Sequence, residues 1–120
     1  MTDFIQFRDT LVKFRDDRNW KQFHTLKNLM ISLNLESAEL LELAQWKSDE
    51  EMQTAQNDDA FQQSLRDECA DVFMYLLLIA DVAGFDLLDA AAGKLAKNNE
   101  KYPVSRSYGS SRKYSELDKE

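Results

Sequence analysis

Phe4, Phe7, Leu11, Val12 and Phe14 recur at helical spacing, so the first apolar stripe of the chain predicts a helix from about residue 3 to Asp17. A connector rich in aromatics follows, from Arg18 to His24. Thr25 has the side chain of an N-cap, and Leu29, Leu33, Leu40 and Leu43 behind it predict a long second helix to about Trp46. Residues 47–59 are polar and acidic and predict an exposed loop with room for one helical turn. A third stripe runs from about Ala60 to Ala83, and Gly84 is placed to close it as a C-terminal glycine. Asp86 then caps a fourth helix to about Lys101, which must stop before Pro103. From Ser105 to Glu120 the chain is polar and Ser-rich, without apolar periodicity. A mobile tail, or an arm that orders on a partner, is expected there. The fold class is all-α: a four-helix bundle over residues 1–103, followed by a polar tail at 104–120.

Composition narrows the function classes. Three glycines and one proline in 120 residues are too few for the turns of a sandwich or barrel. They also rule out the Gly-rich phosphate loops, since neither GxGxxG nor GxxxxGK[ST] can be written from Gly84, Gly93 and Gly109. The net charge of −7 argues against nucleic acid as a partner, because such binding neutralises phosphates with Lys and Arg. The longest apolar run, Val72 to Ala80, is far short of the ~20 residues of a membrane span. One cysteine, Cys69, cannot form an internal disulfide and is expected to pack as a small residue. MTDFIQFRDT lacks a basic segment followed by an apolar run, so no secretory leader is expected. A cytoplasmic protein is the resulting expectation.

The chemistry falls on helices two and three. At 100° per residue Glu36 lies between Leu43 and Leu29, about 20° from each, and Glu39 sits at the edge of the same stripe. On the third helix Glu68 lies between Tyr75 and Ile79, and Asp71 between Leu78 and Val82. Two carboxylate pairs at i and i+3 thus point into apolar faces, and each pair can share one ligand. Carboxylates are almost never buried without a partner, and four converging without Lys or Arg would repel. A hard divalent cation removes the conflict: oxygen donors suit Mg²⁺, with Mn²⁺ as a substitute, better than Zn²⁺. The competing reading, a solvated acidic face, suits Glu42, Asp67 and Asp81, which lie off the stripe or at its far margin.

The order Glu36-Ser-Ala-Glu39, 28 further residues, then Glu68-Cys-Ala-Asp71 resembles the ExxE…ExxD signature of the all-α, MazG-like nucleotide pyrophosphohydrolases. The stretches Phe23 to Leu29, Glu39 to Trp46 and Lys94 to Pro103 are similar to the dCTP pyrophosphatase branch. The resemblance covers about residues 4 to 103. It implies a bundle of the all-α NTP pyrophosphatase type that cleaves a (deoxy)nucleoside triphosphate to the monophosphate and pyrophosphate. dCTP or a modified cytosine nucleotide is the implied substrate, in a house-cleaning role. The same reaction on dUTP, dATP or a broader set, and a non-catalytic interaction module with an acidic groove, are the alternatives. Glu36, Glu39, Glu68 and Asp71 would hold the metal, and one glutamate, Glu39 or Glu36, would take a proton from the attacking water.

Lys94, Asn98 and Lys101 recur on one helical face, next to Tyr102; the resemblance implies that they contact phosphates. Lys101 stands where the family usually has Arg, which replaces a bidentate fork with a point charge. Trp20, Phe23, His24, Asn28 and Trp46 are the candidates for the base pocket, the aromatics by stacking and His24 and Asn28 by hydrogen bonds. Core packing is the competing use of the aromatics. Ile31, Leu35, Met74 and Leu77 lie outside the main stripes, so one small bundle cannot bury them all and a second subunit is expected to. The family implies dimers with composite sites, often paired into tetramers.

Overall fold

The structure, a computed structural model, describes residues 2–117; Met1 and residues 118–120, the end of the expected tail, lie outside the described residues. Every regular element among them is helical: α1 Phe4–Asp17, α2 Leu26–Glu42, α3 Asp49–Ala55, α4 Asp59–Ala83, α5 Leu87–Lys101 and α6 Val104–Ser107, with 3₁₀ turns at Lys21–Phe23 and Tyr114–Glu116. None is long and apolar enough to cross a membrane.

The helix starts follow from side chains that satisfy first-turn N–H groups. Thr25 accepts from the Asn28 backbone N–H at 3.1 Å, Asp58 from Phe61 at 2.9 Å and Asp86 from Asp89 at 2.9 Å. Gly84 ends α4 in the left-handed region, φ 80°, where a side chain would be strained. Helix α1 ends differently. Asn19 takes φ 53°, its N–H bonds the Asp16 carbonyl at 3.0 Å, and the Trp20 N–H reaches back to Arg15 O at 3.1 Å. These are the two bonds of a Schellman turn, with Asn in the place of Gly.

Helix α2 stops at Glu42 and not at Trp46. The reason lies just downstream, in a capping box: Ser48 Oγ accepts from the Glu51 N–H at 3.1 Å, and the Ser48 N–H donates to Glu51 Oε1 at 3.3 Å. Ser48 must be extended to make it, so the chain leaves the helix first. The Ala44 N–H bonds Leu41 O at 2.9 Å and Lys47 Nζ bonds Leu43 O at 2.9 Å. The segment read as a loop thereby becomes α3, whose acidic first turn suits the helix dipole.

Two compact units divide the chain, Met1–Phe85 and Asp86–Glu120. In the first, α2 packs along α4 and α1 crosses α4 more lightly. Phe4 and Phe7 set their rings against Phe73 at 6.1 and 6.2 Å. The core is Leu11, Leu29, Leu77, Leu78 and Ala80. Leu29 is 1% exposed, and a side chain so buried contributes about 1.5–3 kcal/mol of transfer free energy. Leu77, expected to face another subunit, is instead core. Ile31 and Leu35 do stay outside, 50% and 58% exposed. Cys69 is exposed and not a packing residue.

In the second unit α5 ends where Tyr102 N–H bonds Asn98 O at 2.8 Å, and Pro103 opens α6. The Tyr102 ring meets Tyr114 edge-on at 6.2 Å, with Lys101 Nζ 4.8 Å from the Tyr114 ring centre. Part of the expected tail is therefore regular: α6 and the 3₁₀ turn at Tyr114–Glu116.

Candidate metal centre and cavity

Helices α2 and α4 bring Glu36, Glu39 and Glu68 together, each offering one carboxylate oxygen within 4.8 Å of the others. The i, i+3 spacing puts Glu36 and Glu39 on one face of α2, and α2 lies along α4. Glu36 and Glu68 are half-buried and Glu39 is exposed. One oxygen of Glu36 and one of Glu68 are buried with no hydrogen-bond partner, which costs about 1–3 kcal/mol or more for a charged group.

The electrostatics agree. Burial, followed by the carboxylates of Glu39, Asp71 and Glu68, pushes the Glu36 carboxyl up to about 7. Burial and then Glu39, Asp71 and Asp67 raise that of Glu68. Among the described residues no Lys or Arg forms an ion pair with any of the three. An acidic cluster with orphaned, buried oxygens and, among the described residues, no Lys or Arg paired to it is the donor set that a hard divalent ion fits. Asp71, one turn along α4 from Glu68, is outside this three-carboxylate cluster but acts on Glu36 and Glu68 electrostatically.

Asp71 instead lines a cavity of about 150 Å³, with Leu11, Phe14, Arg15, Trp20, His24, Met74, Tyr75 and Leu78 as the other walls. The Schellman turn at Asn19 explains how the connector reaches it. Reversal at α1's end lays Trp20 edge-on against Phe14 at 5.7 Å, and the 3₁₀ turn that follows brings His24 to 6.4 Å from Trp20. His24 Nδ1 is buried without a partner. Burial, reinforced by the positive charge of Arg15, holds this imidazole below its ordinary pKa.

Two of the residues expected in a base pocket, Trp20 and His24, thus share a cavity. Phe23, Asn28 and Trp46 do not line it. Asn28 Nδ2 donates to Phe23 O at 3.2 Å, which fixes the connector, and Trp46 is 86% exposed because α2 ends before it. Lys94, Asn98, Lys101 and Tyr102 all lie on or at the end of α5, with Asn98 half-buried and the others exposed. Met74 and Tyr75, read only as apolar positions of α4, turn out to be cavity wall. The residue that sequence reading missed is Arg15. It is 2% exposed, with Nη1 donating to Asp81 at 2.6 Å and Nε to Asp16 at 2.9 Å. Its place four residues after Leu11 on the apolar stripe was the available signal. Asp81, read as a marginal surface acid, is the ion-pair partner that ties α4 to α1.

Comparison with known proteins gives one consistent picture. Residues 31–117 match the model of the MazG-like family. Over 105 residues the chain is 39% identical to dCTP pyrophosphatase 1 of Mus musculus and 38% identical to that of Homo sapiens, covering 88% of this chain and 62% of each relative. The chain therefore spans less than two thirds of the length of these curated relatives. A crystal structure of a pyrophosphatase from Archaeoglobus fulgidus superposes with a TM-score of 0.75 at 40% identity, covering 86% of this chain and 94% of that one.

Proposed function

Because the chain belongs to the MazG-like family, we propose that it hydrolyses a (deoxy)nucleoside triphosphate to the monophosphate and pyrophosphate, with Mg²⁺ as cofactor and a cytosine nucleotide as preferred substrate. The observation that carries this reading is the cluster of Glu36, Glu39 and Glu68, with two buried oxygens unpartnered. Its relatives support the chemistry: the mammalian proteins are dCTP pyrophosphatases and the archaeal one is a pyrophosphatase.

Glu36, Glu39 and Glu68 would hold the ion, with Asp71 adding charge one turn away. When bound, such an ion supplies positive charge against the triphosphate and lowers the pKa of water. Glu39, the exposed member of the three, takes the proton of the water that attacks the α-phosphorus. Trp20 and His24 bind the base in the cavity, one by its ring face and one by its nitrogens. Lys94, Asn98 and Lys101 contact phosphate oxygens and Tyr102 supports them.

The half-exposed Ile31 and Leu35 on α2 support a homo-oligomer, a dimer or tetramer, which light scattering at micromolar concentration tests. A cytoplasmic setting fits the lone exposed Cys69. The reaction is tested by incubating the protein with each dNTP and Mg²⁺ and measuring pyrophosphate. Release from dCTP, abolished by chelation, is expected. No pyrophosphate from any triphosphate, with Mg²⁺ and Mn²⁺ both tried, would overturn the reading.

A further inference from the structure

The cavity contains one cation to which the reaction assigns no part. Arg15 is 2% exposed and belongs to the cavity wall. Its Nη1 and Nε are held by Asp81 and Asp16, while Nη2 takes part in neither pair. A guanidinium is planar, with its N–H donors in a rigid fork, so two carboxylates on different helices fix both its plane and its position. Burial alone would lower its pKa, but the carboxylates of Asp16 and Asp81 outweigh that and raise it. The group is a permanent cation.

A packing role does not call for this residue. Methionine or leucine would continue the Leu11 stripe without desolvating a charge, and a buried ion pair adds little stability over well-packed apolar side chains. What Arg15 adds is N–H donors in a wall that is mostly aromatic and aliphatic but also holds the Asp71 carboxylate and the His24 imidazole. A second observation points to a polar ligand there: His24 Nδ1, in the same wall, is buried without a hydrogen-bond partner. The volume of about 150 Å³ matches cavities that accept a single six-membered ring.

We propose that Arg15 is a specificity-determining residue, the N–H groups left over from its two ion pairs, on Nη1 and Nη2, donating as a fork to the adjacent oxygen and nitrogen acceptors, O2 and N3, of a cytosine ring in the cavity. This rests on the nucleotide reading above. Uracil and thymine carry N–H at N3 and would oppose donor to donor, leaving buried groups unsatisfied. A fork reading two adjacent acceptors is worth about a tenfold or greater discrimination, and a site built to hydrogen-bond rejects the ring that cannot reciprocate.

The experiment compares wild type with Arg15→Met and Arg15→Lys, the second keeping charge and much of the packing while losing the fork. The kcat/KM ratio for dCTP over dUTP is measured for each, with dCMP and dUMP binding by calorimetry alongside. The ratio is expected to fall about tenfold or more in both variants, and dCMP to lose its advantage in binding. If Arg15 only ties α1 to α4, both substrates lose rate together and the ratio stays put, which would overturn the assignment. Equal binding of dCMP and dUMP by the wild type would overturn it too, and needs no variant to fold. The two readings fail separately. Arg15-dependent preference for dCMP without pyrophosphate release sinks the reaction alone, whereas hydrolysis with an unchanged ratio in Arg15→Lys sinks the Arg15 assignment alone.

Discussion

Helix α4 carries two acidic positions that the fold treats in opposite ways. Near its C-terminal end Asp81 meets a protein cation, Arg15 Nη1 at 2.6 Å, and the pair joins α1 to α4. Near its middle Glu68 meets Glu36 and Glu39, and one oxygen each of Glu68 and Glu36 is buried without a partner. Both places are acids on a half-apolar helix. One is neutralised from within the chain and contributes to holding it together; the other accumulates like charge that no described Lys or Arg pairs with. Charge that folding leaves uncompensated is available for an external ion, and strain of that kind is kept where chemistry is done.

Substitution at each place tests the contrast, and Glu68 gives the larger effect. Even outer-shell groups around a metal cost about 10–100-fold when lost, so Glu68→Gln, which would remove one of the three proposed ligands, should lower turnover at least on the order of 10²-fold. Its metal-free thermal midpoint should at the same time rise, because one of the repelling charges is gone. Pyrophosphate assays and melting in chelator check the two halves. Normal turnover in this variant would remove the metal assignment.

Asp81→Asn should do the reverse in stability. It leaves the buried Arg15 with Asp16 as its charged partner. Breaking a fully buried pair costs about 3–5 kcal/mol, and water reaches the 31%-exposed Asp81 side chain, so about 2 kcal/mol is expected by urea denaturation. A stable Asp81→Asn protein would mean that the ion pair does not tie the helices.

The same contrast explains what could be read from the chain. The carboxylates were legible because Glu36, Glu68 and Asp71 fall among leucines and aromatics at helical spacing, and a charge within an apolar stripe is informative by itself. Thr25, Gly84 and Asp86 announced their helix boundaries through local chemistry. Arg15 also sits on an apolar stripe, four residues after Leu11, but its ion pair was not legible because its partner Asp81 is 66 positions away, and spacing within one helix says nothing about pairing across two. Trp46 was misplaced for a local reason: the Ser48–Glu51 capping box ends α2 early, and periodicity through Leu43 had hidden that competition. Leu77 looked outward only because angles about one helix axis do not say how wide a face its neighbours cover.

Magnesium added to the metal-free protein should stabilise it by mass action, about 1.4 kcal/mol at a tenfold excess over Kd. That gain should vanish in Glu68→Gln and persist in Asp81→Asn. Ser48→Ala, remote in kind from both places, should cost about 1 kcal/mol through the lost cap and leave the magnesium increment unchanged. A magnesium response that tracked Asp81 instead would reverse the roles of the two acids.

The smallest effect is in pH. The Glu36 carboxyl is raised from its ordinary 4.5 to about 7 in the folded protein, so the folded state binds a proton more tightly than the unfolded one. Stability from this group is fully present below pH about 4.5 and is lost as pH rises through about 7. Metal-free protein should therefore soften across that window, modestly, since solvent still reaches much of the cluster. Melting midpoints in chelator from pH 4.5 to 7.5 would show the decline, and Glu36→Gln should flatten it. With magnesium present the slope should shrink or change sign, because the ion takes the place of the proton and binding releases it. The Arg15–Asp81 pair offers no counterpart, since a guanidinium does not titrate there. A decline that survived in Glu36→Gln would place the uncompensated charge somewhere other than this cluster.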